Sequence, residues 1–375
     1  MRRKIEKNEM SNMSQRESNV ELLRIIAAIG VIVLHYNNPI IGGGFTFVRS
    51  HGLSDYFLTV MESIFICAVD LFVLISGYFL SKKNSRNIFR VFELFFQTIL
   101  YTLVFYIFSI VIGNNTFSVR RLFGCFIPTN WFVTLYAVLF LISPFINIAY
   151  NNLSRQSKKL MVGLMVVLFS IYPTLVDILS AFCHKQFYGL SSIGMYGSQY
   201  GYSIVNYILM YTIGCYLADN SLKNGIDSKN RTGKKDRIVV HLFLVIAIIT
   251  LWSRLDLITG YEVERTAWEY CNPLVVYEAV LIFILFRRIK INNAVINKIA
   301  SGTFSVYLAH EHFLPFLKIE KYLKLDNVII TVIHLLVSVI VVFILCLFVD
   351  LMYKVLVKRI IGALKDRIPN TDIEY

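Results

Sequence analysis

The chain has 375 residues, of which 56% are hydrophobic and only 16% are charged. Because a soluble domain carries about 25% charged residues, this composition excludes an ordinary soluble protein and favours a polytopic membrane protein. The net charge is +13, but Lys and Arg collect in the cytoplasmic loops of membrane proteins. The positive charge is therefore no sign of nucleic-acid binding, and we predict no nucleic-acid partner.

Ten apolar runs are long enough to cross a hydrocarbon core of about 30 Å. The ninth run is short and rich in small and polar residues, so we expect it to be buried among other helices. The runs lie near residues 20–40, 56–80, 88–113, 130–150, 159–180, 203–218, 237–253, 271–288, 297–316 and 328–353. The predicted fold is an all-α bundle of about ten transmembrane helices.

The basic residues divide unevenly between the two sides of this bundle. Both tails and the loops on their side hold 27 of the 37 Lys and Arg residues, whereas the other loops hold 9. This asymmetry predicts that both termini are cytoplasmic. The predicted organisation is a basic cytoplasmic tail over 1–19, a membrane domain over 20–353 and a second cytoplasmic tail over 354–375.

The first span carries Arg24 near its start and His35 near its end. At 100° per residue, 11 positions amount to about 1100°, which is only about 20° more than three whole turns. Both side chains therefore lie on one face of the helix, about 16 Å apart along its axis. The predicted topology puts Arg24 in the cytoplasmic half and His35 in the outer half. Arg24 could instead snorkel to headgroups, and His35 could only hydrogen-bond across helices. However, imidazole exchanges protons near neutral pH, and the shared face favours a functional pair.

Other spans also carry ionisable groups, which are costly in a bilayer and mark functional sites. The same topology places Glu62, Glu278 and His310 in the outer half of the membrane, and Trp131 at the outer mouth of the fourth span. Glu278 and Asp70 could equally be structural partners of buried cations. The six cysteines lie singly, without a C-x-x-C pair or metal-type spacing, so we predict packing roles for them and no metal.

Five stretches, in order along the chain, resemble the membrane acyltransferase-3 family, in the branch that modifies bacterial exopolysaccharides and capsules. The quoted stretches begin at Glu21 and end at Phe316. The stretches are "ELLRIIAAIGVIVLHYNN", "AVDLFVLISGYFLSKK", "NWFVTLYAVLFLISPFIN", "NPLVVYEAVLIFILFRRI" and "SGTFSVYLAHEHFLPF".

The resemblance implies a ten-helix O-acyltransferase of the bacterial cytoplasmic membrane, which usually moves acetyl from acetyl-CoA to a sugar hydroxyl. In that family the first-helix arginine and histidine are the functional pair, and they match Arg24 and His35 here. The expected partners are the lipid bilayer, acyl-CoA, a glycan acceptor and other polysaccharide-assembly proteins.

A mechanism then follows as a hypothesis. His35 is the expected general base, with Glu278 or Glu62 as its orienting partner. A direct transfer needs only that base, and a two-step route through an acyl-histidine is the alternative. Arg24 is expected to bind the phosphorylated end of CoA. The remaining candidates for the donor site are Ser76, Arg86 and Arg90, and those for the acceptor site are Trp131, His310 and His312.

Rival classes stay open at this point. A transporter or flippase for a lipid-linked glycan would also carry buried charges. There are two further alternatives. One is a membrane component of a polysaccharide polymerase, and the other is a non-catalytic sensor of the same fold. Consumption of acetyl-CoA by the purified protein would distinguish an enzyme from a transporter or flippase.

Overall fold

The computed structural model describes residues 17–128, 130–185, 187, 201–224, 232–255, 263–357, 360–362 and 372–374. The prediction of a basic tail over 1–19 therefore lies almost entirely outside the described residues. Within them the chain is overwhelmingly helical, which confirms the all-α class.

The helices are α1 (Ser18–Asn37), α2 (Gly44–Phe47), α3 (Leu53–Phe65), α4 (Ala68–Leu80), α5 (Phe89–Val111), α6 (Val119–Gly124), α7 (Trp131–Asn151), α8 (Arg155–Val166), α9 (Tyr172–Cys183), α10 (Ile204–Asn224), α11 (Thr232–Trp252), α12 (Pro273–Arg287), α13 (Ala294–Ala300), α14 (Thr303–Phe313), α15 (Ile319–Leu323) and α16 (Val328–Leu356). A π turn (Val167–Ile171) joins α8 to α9, and 3₁₀ turns precede α12 (Val263–Trp268) and follow α14 (Leu314–Leu317). Strands β1 (Ser85–Asn87) and β2 (Asp372–Glu374) pair antiparallel, with Arg86 opposite Ile373.

Seven helical segments in the described part of the chain are long and apolar enough to cross a membrane. They correspond to the predicted spans one to five, eight and ten, so a multi-pass membrane protein is confirmed. The predicted sixth and seventh spans fall on shorter apolar helices, Ile204–Asp219 and Arg237–Trp252. The ninth is divided among α13, α14 and a 3₁₀ turn. The count of ten and the orientation of the termini stay predictions.

Helix α1 lies at the centre of the bundle, and most of its residues are buried. It packs against α3, α4, α12, α13, α14 and α16. Small residues permit this close packing: a Cβ atom on Gly30 would meet Phe65 Cδ1 at 2.7 Å and Ala68 Cβ at 3.2 Å. The surrounding helices therefore hold α1, together with Arg24 and His35, in a fixed position.

The outer helices expose apolar side chains that water would not tolerate in such numbers. Helix α16 alone exposes Ile333, Leu336, Ile340, Ile344 and Phe348. These faces are suited to contact with lipid tails, in agreement with a bundle that lies in the bilayer.

Candidate active site

The candidate site forms where the last turn of α1 meets the last turns of α14. His35 Nδ1 lies 3.2 Å from Glu311 Oε1 and also contacts Nε2 of His310. The two imidazole rings are stacked, with centroids 4.6 Å apart and planes 17° from parallel. His310 is fully buried, whereas the side chain of His35 is 24% exposed and that of Glu311 is 47% exposed. The site is therefore anchored by the buried His310, and a ligand can reach it at His35 and Glu311.

Hydrogen bonding assigns the ring protons of the two histidines. His310 Nδ1 lies 2.9 Å from the carbonyl oxygen of Val306, and because a carbonyl only accepts, Nδ1 must carry the proton. In the neutral ring, Nε2 of His310 is then an acceptor, so His35 Nδ1 donates to it and to Glu311. The lone pair of His35 is left on Nε2. A histidine held in this way can take a proton from a substrate hydroxyl at Nε2.

The two carboxylates that the sequence suggested as partners of His35 lie elsewhere. Glu62 accepts a hydrogen bond of 2.9 Å from Asn37 Nδ2, which fixes the end of α1. Glu278 is fully buried, and its ionisable neighbours include Cys67 and Asp70. Neither carboxylate is among the contacts described for His35, and their catalytic roles stay predictions.

Glu311 is the residue to which sequence reasoning gave no role. The signal was present in the three consecutive ionisable residues His310, Glu311 and His312. Neighbouring residues on a helix point about 100° apart, and the sequence did not show which of the three would face α1. In the structure His310 and Glu311 contact His35, while His312 stacks on Phe105 with ring centroids 4.2 Å apart.

An aromatic wall connects this histidine pair to Trp131, the first residue of α7. The Tyr307 ring lies 6.1 Å from the His310 ring and 4.6 Å from the Phe132 ring. Trp131 packs edge-on against Tyr202, with centroids 4.5 Å apart. We use the term aromatic wall for Tyr307, Phe132, Trp131, Tyr202 and Tyr270. Phe132, Tyr270 and Tyr307 are buried, whereas Tyr202 is exposed and Trp131 is half-buried. Tyr202 and Trp131 are therefore the members of the wall that a ligand can reach.

Arg24 lies toward the other end of α1, and α1 is one uninterrupted helix over both residues. The spacing of about 16 Å between Arg24 and His35 therefore holds in the fold. Arg24 Nη1 pairs with Glu21 Oε1 at 2.9 Å, and its guanidinium carbon lies 5.4 Å from the centre of the Phe79 ring. Its side chain is 29% exposed, so it is accessible to a ligand from that end of the bundle.

The donor-site candidates Ser76, Arg86 and Arg90 are not among the contacts described for Arg24. The Ser76 hydroxyl is 2.9 Å from the carbonyl of Phe72 and 3.1 Å from the Tyr136 hydroxyl. Arg90 is exposed near the start of α5, and Arg86 is buried. Their proposed contacts with a donor stay predictions.

The Arg86 side chain is held in a network built around Pro144. Because Pro144 has no N–H for the carbonyl of Phe140, the Ser143 hydroxyl donates to that carbonyl instead, at 2.8 Å. Nε and Nη2 of Arg86 then donate to the Ser143 oxygen at 3.0 and 2.7 Å. Nη1 donates to the carbonyls of Lys83 and Ser85 at 2.9 and 2.8 Å. These bonds join the loop before α5 to α7, which is a structural task.

Substitution of Arg86 by alanine is therefore expected to lower the thermal stability of the protein. Hydrogen bonds to a charged group contribute about 1.5–3 kcal/mol each, and the substitution removes several at once. Thermal unfolding of the detergent-solubilised variant measures the loss, and exposed Arg90→Ala is the matched control. Equal unfolding temperatures for both variants would contradict the structural role of Arg86.

The ligand atoms of His35, His310 and Glu311 all lie within 4.8 Å of one another. Two imidazoles and a carboxylate at this spacing could share a divalent ion, with positions left open for water. That the protein needs no metal therefore stays a prediction, which treatment with a chelator tests.

The fold and the site together define a helical membrane protein with a histidine placed for proton transfer inside the bundle. Over residues 17–350 the chain matches the acyltransferase-3 family, described as an acyltransferase domain. The chain belongs to this family and is a multi-pass membrane acyltransferase. Comparison with individually curated proteins gives no significant match.

Proposed function

We propose that the protein transfers an acetyl group from acetyl-CoA to a hydroxyl of a bacterial surface polysaccharide or of its lipid-linked precursor, in the cytoplasmic membrane. The observation that carries the proposal is the arrangement on α1. His35 is oriented by Glu311 and His310, and an accessible arginine lies on the same helix about 16 Å away.

In the proposed reaction, His35 Nε2 removes the proton from the acceptor hydroxyl as its oxygen attacks the thioester carbonyl. A C–O bond forms, the C–S bond breaks, and CoA leaves as a thiolate that takes up the proton. Glu311 stabilises the imidazolium that exists between these steps, as a carboxylate does in a catalytic triad. The reaction balances without an oxidant or a second cofactor.

The two substrates are proposed to approach from opposite ends of α1. Arg24 suits the phosphates of CoA, because a guanidinium makes paired hydrogen bonds with phosphate. The long thin pantetheine arm can then run along the helix and present its thioester near His35. Tyr202 and Trp131, the accessible members of the aromatic wall, are proposed to contact the sugar acceptor, since aromatic faces pack well against apolar faces of a pyranose ring.

The test uses the purified protein in nanodiscs with acetyl-CoA and the deacetylated polysaccharide or its oligosaccharides. We expect release of CoA thiol that depends on the acceptor, and O-acetyl signals in the NMR spectrum of the product. Activity should persist after treatment with a chelator, because no step uses a metal. Transport of glycan without release of thiol would refute the proposal in favour of a flippase.

Substitution of Glu311 by glutamine is expected to lower kcat about 10–100-fold, because the amide still accepts a hydrogen bond but does not stabilise the imidazolium. Initial rates of thiol release measure the effect. Glu320→Gln is the matched control, since this exposed residue of α15 pairs only with Lys324 among its described contacts. A Glu311→Gln variant as fast as this control would remove Glu311 from the mechanism.

A further inference from the structure

A second arginine lies beside Arg24 at the same end of the bundle. The guanidinium carbon of Arg287, the last residue of α12, lies 4.9 Å from the centre of the Tyr78 ring. The Arg24 guanidinium is 5.4 Å from the ring of the next residue, Phe79. The two rings are themselves 5.3 Å apart. Two cations thus flank one pair of aromatic rings, and we call these four residues the arginine–aromatic cluster.

Each cation of the cluster is neutralised by a glutamate from the start of α1. Arg287 pairs with Glu17, and Arg24 pairs with Glu21. The pairs are incomplete, because Nε of Arg287 and Oε2 of Glu21 are buried without a hydrogen-bond partner among the described residues. An unpartnered buried donor is costly, so a further acceptor at Arg287 would stabilise the cluster.

The Arg287–Glu17 pair is not needed to join α1 to α12. Asn19 Nδ2 already donates to the carbonyl of Phe286 at 3.1 Å. The backbone N–H of Asn293, in the loop that follows α12, donates to the Ser18 hydroxyl at 3.0 Å. Glu17 is 37% exposed and Arg287 is 19% exposed, so their ion pair can open while these two bonds hold the helices together.

We propose that Arg287 binds a phosphate of the acyl-CoA donor, together with Arg24, and that Glu17 occupies this position until the donor arrives. The proposal rests on acyl-CoA being the donor, as set out above, and adds a residue and a competing contact to that site. The 3′-phosphate and the diphosphate of CoA offer several charges to two guanidiniums. The rings of Tyr78 and Phe79 offer a surface for the adenine.

The test measures binding of CoA, which has no acetyl group to transfer, to the full-length protein in phosphatidylcholine nanodiscs. Arg287→Ala should raise Kd about tenfold or more, as the loss of a charged hydrogen bond implies. Glu17→Gln should lower Kd several-fold, because it removes the competitor, and this gain should vanish in the double variant. Arg288→Ala is the matched control: this neighbouring arginine has no acidic or ring partner among the described residues.

The outcomes separate this inference from the proposed function. Wild-type protein that does not bind CoA would overturn both. Suppose instead that the wild-type protein binds CoA. An unchanged Kd in Arg287→Ala, or a higher Kd in Glu17→Gln, would then overturn the role of Arg287 alone. If Arg287→Ala raises the Kd for CoA only in nanodiscs that contain anionic lipid, the cluster binds a lipid headgroup. That result would also overturn the role of Arg287 in binding CoA. A purely structural Arg287 would change the unfolding temperature but leave the Kd for CoA unaltered.

Discussion

Replacement of His35 by alanine is expected to lower kcat for acetyl transfer by about 10²–10⁴-fold, the usual contribution of a general base. The variant loses Nε2 of His35, the ring nitrogen that the described hydrogen bonds of the His35–His310 pair leave as an acceptor. Because the His35 side chain is partly exposed and its alanine variant keeps α1 helical, folding should be intact. Acceptor-dependent release of CoA thiol from matched amounts of purified protein measures the effect.

The control for this experiment is His241→Ala. His241 is an exposed residue of α11, and its Nδ1 contacts the Tyr277 hydroxyl at 2.9 Å, so its removal should leave kcat near the wild-type value. The Kd for CoA should also stay unchanged in His35→Ala, since Arg24 is untouched. A His35→Ala variant that transfers acetyl at the wild-type rate would show that another group takes the proton.

The part of the site that lies within one helix could be predicted from the sequence. Arg24 and His35 are joined by a continuous run of helical residues, so the fixed rotation per residue was enough to place them on one face. Their roles came from the family resemblance instead, because periodicity gives a direction but no chemistry.

The contacts between helices could not be predicted in this way. His35 and His310 are 275 positions apart, and their meeting depends on the tilt and rotation of α1 and α14, which hydrophobic periodicity in an all-apolar helix defines poorly. The sequence placed Glu62, Glu278 and His310 in the same half of the membrane as His35. Of these three, His310 is the one that appears among the contacts described for His35. Depth in the membrane therefore limits the candidates, whereas helix rotation selects among them.

Arg86 illustrates a second limit. Sequence reasoning treats a basic residue at a membrane boundary as a ligand for phosphate or headgroups. Its actual partners depend on Pro144, which lies 58 positions away and frees a carbonyl that Ser143 then satisfies. A residue of this kind is recognised only when the backbone geometry of another helix is known.

The "SG" of "LISGYF" lies where helices α4 and α10 approach each other closely. A Cβ atom on Gly77 of α4 would lie 2.1 Å from the backbone oxygen of Tyr211 in α10, and one on Gly214 of α10 would lie 2.2 Å from that of Leu74. Both obstacles are backbone atoms, so no side-chain rotation can relieve the contact. The close packing of α4 against α10 is thus sufficient to explain the glycine of this motif.

Gly77→Ala and Gly214→Ala are therefore expected to destabilise the bundle by about 3 kcal/mol or more, at the upper end of the usual cost of overpacking. Thermal unfolding of detergent-solubilised protein, followed by size-exclusion chromatography, measures this loss. Gly163→Ala is the matched control, because Gly163 also lies in a helix but a Cβ there meets nothing within 4 Å. That variant should gain up to about 1 kcal/mol from its higher helix propensity. If Gly77→Ala unfolds at the same temperature as Gly163→Ala, helices α4 and α10 must be further apart than the structure shows, and the packing explanation of the motif would be wrong.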